Sequence, residues 1–375
     1  MFDNFFLILA VFALTLAAGC KKFEKMPEKS VIRIAGNLPL TGPVAAFCGT
    51  YHNAFEMGIE DGCRELGISP GVFEIDFQDN AENQATAASN FQRQALKPID
   101  VYISGTSLSS RAVVSSVDEL GVPHFLVSFD AFMPREGENR LRILPGFKLE
   151  SPLYLDYARR LGAKRIFAFN INATYANQKF SEIIEPRLDE AGVAHKREAY
   201  DMQLKDFKTL ALKAYEYKPD LIFIDGFSFH IYAILRALRP YGLVEPGKIL
   251  ACIDFVDLLH EDTPREELKN ISHVTSLFEI SARVEDDPFR EKFKEKYAKE
   301  PSYVDGYAYD TGRIIAAAYK KFGKVDTKSI FGVLPFDGVT GRIELDEDGD
   351  LKTTLAIAQV NDAGEVELVY DPSEK

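Results

Sequence analysis

The stretch "DVYISGTSLSSRAVVSSVDELGVPHFLVSF", Asp100 to Phe129, decides the fold. A short apolar strand, "DVYISG", stops at a glycine, an amphipathic helix, "SSRAVVSSVDELG", follows, and a second apolar strand, "PHFLVSF", closes the unit. Nearly continuous apolar strands alternating with helices belong to a parallel sheet covered on both faces, because each connection must cross the sheet before the next strand can start. Toward the N-terminus, "VIRIAGNLP" reads as a strand, "VAAFCGTYHNAFEMGIEDGCRELG" as one helix, "VFEIDFQD" as a strand and "AENQATAASNFQRQALK" as a helix. The order is βαβαβαβ.

Beyond "NRLRILPGF" the pattern restarts. Helices "ESPLYLDYARRLG", "YANQKFSEIIEPRLDEAG", "DFKTLALKAYEY" and "FHIYAILRALRPYG" alternate with strands "RIFAFNIN", "HKREAY", "DLIFIDG" and "ILACID". "HVTSLFEIS" then reads as extended, helices cover "DPFREKFKEKYAKE" and "GYAYDTGRIIAAAYKKFG", and the chain ends in alternating segments that suit antiparallel strands with polar turns. The charged helix "REKFKEKYAKE" is expected to be a solvated face held by i,i+4 pairs.

The apolar run from Phe5 to Ala18 is shorter than the about 20 residues of a membrane-spanning helix. Its end, "LAAGC", resembles a bacterial lipobox, which implies a signal peptide over 1–19, acyl chains on Cys20 and a flexible tether over 20–30. With 46% hydrophobic and 27% charged residues the rest is globular, and its length suits two lobes. A net charge of −13 argues against a nucleic-acid partner, which needs clustered Lys and Arg. Cys48, Cys63 and Cys252 have no zinc-site spacing, and one helix would hold Cys48 and Cys63 about 20 Å apart, too far for a disulfide. Buried thiols are expected.

From about Ser30 to Tyr370 the order of elements, with "GNLPLTGPVAAFCGTYHNAFEMGIED", "SGTSLSSR", "GVPHFLVSFDAF" and "RILPG", resembles the type I periplasmic binding proteins of ABC transporters, the leucine/isoleucine/valine-binding family in particular. The resemblance implies an α/β fold of two lobes, each a mainly parallel sheet flanked by helices, joined by three hinge crossings. Residues 31–145 and 274–335 form one lobe; 146–273 and 336–370 form the other. It also implies a monomer on the periplasmic or cell-surface side, lipid-anchored, with no cofactor and no enzymatic activity. The lobes close on an amino acid or related small carboxylate, and a membrane permease recognises the closed form. A receptor in place of the permease, with the protein acting as a sensor, is the alternative.

The resemblance also names residues. Ser109, with Ser107 beside it, matches the serine that takes the ligand carboxylate, and "SGTSLSSR" sits at the carboxyl edge of a parallel sheet, where such folds bind ligands. Ser109 also suits a helix cap. Asp130 and Phe132 stand where the family has a small residue and a threonine; the Asp130 carboxylate either meets a ligand cation or turns to solvent. Phe47 falls at an aromatic position of the cleft mouth, although core packing accounts for it equally well. Tyr175 matches a tyrosine that closes over the ligand, Phe227 and Ser228 lie at another strand end, and Tyr303 lies on the hinge side. Asp254 matches the acid that binds the α-ammonium group, with a structural cap as the competing role.

Other patterns fall away. "DEDGD" at Asp346 to Asp350 lacks the glycine and glutamate of a calcium loop and reads as a hairpin turn. The histidines are scattered, so no metal site is expected, and no nucleotide loop or serine-hydrolase elbow occurs. An acid/base pair of Asp130 and Asp254, as in glycosidases, has nothing else in the chain to support it.

Overall fold

The computed structural model describes residues 31–42, 44–130, 132–280 and 287–374; the expected leader, Cys20 and tether lie outside them. Two sheets organise the chain. The first is parallel throughout, in the order β2-β1-β3-β4-β5, from β1 (Ile32–Leu38), β2 (Phe73–Asp79), β3 (Val101–Gly105), β4 (His124–Val127) and β5 (Arg140–Leu141). Every residue of β1 is buried, as a central strand covered on both faces must be. Between these strands run α1 (Ala45–Cys48), α2 (Tyr51–Leu66), α3 (Gln84–Gln94), α4 (Ser107–Arg111) and α5 (Val114–Asp118). The continuous helices expected around 44–67 and 109–121 are each broken in two. In the second, the last turn of α4 tightens to three-residue bonds, Ala112 N to Ser109 O at 3.2 Å and Val113 N to Ser110 O at 3.1 Å, which ends the α-helical ladder.

The chain then forms α6 (Phe147–Leu161), β6 (Arg165–Ile171), α7 (Thr174–Gln178), a π-helical turn at Lys179–Ile184, α8 (Glu185–Glu190), β7 (Ala194–Tyr200), α9 (Lys208–Tyr217), β8 (Leu221–Asp225), α10 (Ser228–Leu238), β9 (Ile249–Ala251), α11 (Phe255–His260) and β10 (Ser272–Ser276). After α12 (Pro288–Tyr297), α13 (Tyr303–Phe322) and α14 (Thr327–Phe331) comes a three-stranded ladder, β11 (Phe336–Gly338), β12 (Gly341–Leu345) and β13 (Leu351–Lys352). The last strands, β14 (Leu355–Val360) and β15 (Val366–Tyr370), return antiparallel to the second sheet, whose order is β15-β14-β10-β9-β8-β6-β7.

Strand pairing moves two of the expected crossings. All of β10 pairs with β14, from Ser272–Gln359 to Ser276–Leu355, so the chain leaves the second sheet after Ser276. The ladder is held on the other side: the Asp310 carboxylate of α13 accepts bonds from Val339 N (2.9 Å), Thr340 N (3.0 Å) and Thr340 Oγ1 (2.6 Å). Arg142, which has no exposed surface, grips Asp350 at 2.7 and 2.8 Å. Residues 336–352 therefore stay with the elements of the first sheet, and the last crossing falls between β13 and β14.

Helix α13 completes the first lobe from far along the chain by packing along α2. Glycine makes the approach possible: a Cβ on Gly58 would lie 2.1 Å from Tyr309 O, and one on Gly312 would lie 2.5 Å from Phe55 O. Helix α12 docks here too. Lys296 reaches Glu60 at 2.9 Å and Lys292 reaches the buried Asp61, so these lysines bind α2 instead of forming the expected pairs within their own helix. Cys48, Cys63 and Cys252 are free and buried. Asp346 to Asp350 is a turn, closed by Asp346 N to Asp350 O at 2.8 Å, and no group of metal-binding side chains occurs among the described residues. No helix among them is long and apolar enough to cross a membrane.

Candidate functional site

The residues singled out from the sequence lie mostly just past the carboxyl ends of parallel strands, or in the helices that start there, where strand backbones end and helices turn away to leave a crevice. In the first lobe, β2 ends at Asp79, and Asn80 and Glu82 follow it. Asp79 accepts from Leu40 N and Ala81 N, both at 2.9 Å, and pins the turn after β1. Asn80, fully buried, accepts from Glu82 N at 2.8 Å and bends the chain so that Ala81 and Glu82 adopt positive φ. This bend carries the Glu82 carboxylate over the start of α4. There it accepts from Thr106 Oγ1 at 2.6 Å and Ser109 Oγ at 3.2 Å. Ser107 shares a 2.9 Å bond with Ser128. The serine corner thus forms, but Ser109 is turned to an acid of the chain itself, and burial raises the pKa of that acid. Glu82 is hidden in the sequence because "AENQATAAS" reads as the start of a helix; the helix begins only at Gln84, capped by Asn83.

Asp130 follows neither of the two expected courses. It is 2% exposed and bound by Arg111, at 2.7 Å from Nη2 and 3.2 Å from Nε, while its other oxygen accepts from Phe132 N at 3.0 Å. Arg111 was not foreseen as its partner, although it lies in the same "SGTSLSSR" segment. Phe132 packs edge-on against Phe147 at 5.4 Å, with the Arg135 guanidinium 4.4 Å above its ring. Phe47 is buried and packs on Phe129 at 5.0 Å.

In the second lobe a cluster of charges closes on itself. Lys179, on the π-helical turn, binds the carboxylates of Glu150 and Asp225, with Tyr154 Oη 3.2 Å from its Nζ. Glu150 also accepts from Ile253 N at 2.8 Å, which fixes the loop after β9. On that loop stands Asp254. It occupies the cap position of α11 yet caps no backbone N–H, so the capping role is not observed; its contact is the Cys252 thiol at 3.5 Å. Burial first, then the negative charge of Asp225 and Glu150, pushes its carboxyl up to about 8. Ser228 donates to Glu261 at 3.0 Å, and Phe227 stacks on Phe229 at 6.0 Å.

Asp254, the residue before α11, and Asp257 in its first turn are neighbours three apart, and His260 ends the helix. His260 meets Glu279 at 3.0 Å, and Glu279 also receives Tyr303 N, so α11 is clasped to the start of α13. The Tyr303 side chain is fully buried, and its hydroxyl has no hydrogen-bond partner among the described residues. After burial, Asp254 and Asp257 are the strongest influences raising the pKa of that hydroxyl. The Tyr175 phenol is likewise raised, by burial and then by Asp254, Asp225 and, more weakly, Glu82. Asp254, just before α11, and Tyr303, at the start of α13, are joined through the His260–Glu279 clasp, while Ser109 is bound to Glu82 in the first lobe. Asp130, Phe132 and Ser228 are committed to other protein groups. A separate surface groove of about 640 Å³ beside α6, near Arg159, Lys164 and Arg187, lies toward the opposite, amino edge of the second sheet.

Comparison with known proteins bears on the family and the fold. Residues 31–365 match the family model described as periplasmic binding protein. A leucine binding protein from Thermotoga maritima is similar in structure with a TM-score of 0.77 at 24% identity, covering 92% of this chain and all of that one. A branched-chain amino acid binding protein from Streptococcus pneumoniae, in complex with isoleucine, follows at 0.76 and 22%, covering 91% of this chain and all of that one. A solute binding protein from Rhodopseudomonas palustris, in complex with 3,4-dihydroxybenzoic acid, gives 0.75 and 17%, covering 92% of this chain and 99% of that one. No curated protein matches in sequence. The chain belongs to the periplasmic binding protein family, with the two-lobed type I fold of the ABC-transporter binding proteins. Family membership implies a solute-binding, non-enzymatic role outside the cytoplasm.

Proposed function

We propose that this protein is the solute-binding component of an ABC importer, tethered through Cys20, and that it closes on an amino acid or related small solute between its two lobes. The observation that carries this reading is the corner of Asp254 and Tyr303: a buried acid that caps no helix beside a buried hydroxyl with no partner. Such groups cost about 1–3 kcal/mol each when left unsatisfied, and a ligand amine would satisfy both. Contacts made with both lobes favour the closed form, because a ligand shifts a conformational equilibrium only by its differential affinity for the two states. A permease that reads the closed form would then receive loaded protein only. The structures similar to this one that hold isoleucine and a dihydroxybenzoate support a small organic ligand.

Thermal-shift screening of the mature chain against amino acids, amines and small carboxylates tests the proposal. A solute with micromolar Kd, recovered chemically unchanged and weakened at least about tenfold by Asp254→Asn, is the expected result. No response to any small solute would overturn it. Intact mass of the protein from the cell envelope tests the tether, and an unmodified Cys20 thiol would remove it.

A further inference from the structure

We propose that the cleft is built for a short organic dication, an alkane diamine or small polyamine, in place of a zwitterionic amino acid. The inference rests on the cleft being the solute site. The place where a ligand carboxylate would dock already holds one: Glu82 uses the hydroxyls of Thr106, at 2.6 Å, and Ser109, at 3.2 Å. A ligand anion arriving there meets a like charge and finds those donors engaged.

The opposite wall is acidic as well. Asp254, before α11, and Asp257, in its first turn, are neighbours three apart, and each is more than nine-tenths buried. Asp254 has the Cys252 thiol as its hydrogen-bond contact, and the Asp257 carboxyl makes no hydrogen bond or ion pair among the described residues. Tyr303, the first residue of α13 and clasped to α11 through Glu279, carries a buried hydroxyl with no partner among the described residues. An ammonium group would donate to both carboxylates and to the Tyr303 oxygen, satisfying three buried groups together.

The two walls stand at corresponding edges: Glu82 follows β2 and Asp254 follows β9, each past the carboxyl end of its strand, and His260 of α11 and the Tyr303 N–H of α13 meet on Glu279, which ties the two lobes together there. The cations in reach do not neutralise this set. Lys179 is bound to Glu150 and Asp225, and the partly exposed Lys299 offsets Asp257 less than Asp254, Glu261 and Glu279 oppose it. A molecule with one positive group at each end matches acids on both walls.

Isothermal titration of the mature protein with 1,4-diaminobutane, spermidine, butylamine and leucine tests the inference. The expected order is diaminobutane or spermidine at least about tenfold tighter than butylamine, with leucine weaker still. Glu82→Gln and Asp257→Asn are each expected to weaken the diamine about tenfold. Glu82→Gln, which removes the acid of the far wall, should change butylamine by less than about threefold. Thermal melts of the unliganded variants at or above the wild-type temperature exclude loss of fold as the cause. Leucine or another zwitterion binding as tightly as the diamines, or Glu82→Gln leaving diamine affinity unchanged, overturns the dication and leaves the solute-binding role standing. No binding by any amine, amino acid or carboxylate overturns both.

Discussion

Two clusters of buried acids on the second lobe differ in one respect. Glu150 and Asp225 enclose Lys179, so that cluster carries its own cation and is closed. Asp254 and Asp257, at the end of a neighbouring strand, have none bound to them. Burying a carboxylate without a counter-charge is costly. The closed cluster is therefore architecture, and the open one is a vacancy in charge that a ligand can fill.

The largest effect should come from breaking the closed cluster. Lys179→Met leaves two buried carboxylates facing each other, and a loss of about 3–5 kcal/mol in denaturant unfolding is expected. A loss under about 1 kcal/mol would show that the cluster is not structural. Asp254→Asn is the mirror experiment: it removes a buried carboxyl that no cation holds, so the free protein should melt no lower than wild type while affinity for a cationic ligand falls at least about tenfold.

Acidity separates the clusters next. Burial and the nearby Asp225 and Glu150 hold Asp254 up to about 8, against partial relief from the Cys252 thiol and Lys179. A raised folded-state value means that the folded chain retains a proton the unfolded chain has lost, so this residue's contribution to stability falls as pH rises from about 4 through 8. Comparing wild type with Asp254→Asn across that range isolates the slope. An ammonium ligand binds the ionised form, so its affinity should drop by up to about tenfold per pH unit below 8. Flat affinity between pH 6 and 8 would remove Asp254 from the contact. The smallest effect is expected at an exposed pair: Lys296→Met, which frees Glu60 in water, should cost less than about 1 kcal/mol.

The βα alternation was legible in the sequence because parallel strands buried on both faces leave a plain apolar signature, and the strands of both sheets, apart from the short β5, fall where the sequence predicts them. Helix interruptions were less so. Nothing apolar marks the break between α4 and α5, which depends on the last turn of α4 tightening. In the site, Asp254 and Tyr303 were named from their place in a family pattern, but their lack of partners is a property of the packed chain. Glu82 and Asp257 were missed for different reasons: the first depends on a bend through positive φ that polar residues conceal, the second on which face of a six-residue helix turns inward. Asp130 was assigned between ligand and solvent, and Arg111, nineteen residues back, takes it instead.

The glycine seam between α2 and α13 sets an order of assembly. Helix α2 ends at Leu66, and its partner runs from Tyr303 to Phe322, so the first-made lobe lacks its flanking layer until nearly the whole chain exists. At about 5–20 residues per second, synthesis of the intervening length takes tens of seconds. For that period the α2 face stands bare, and a chain waiting for α13 is one that an export machinery or a holding chaperone can still grasp unfolded.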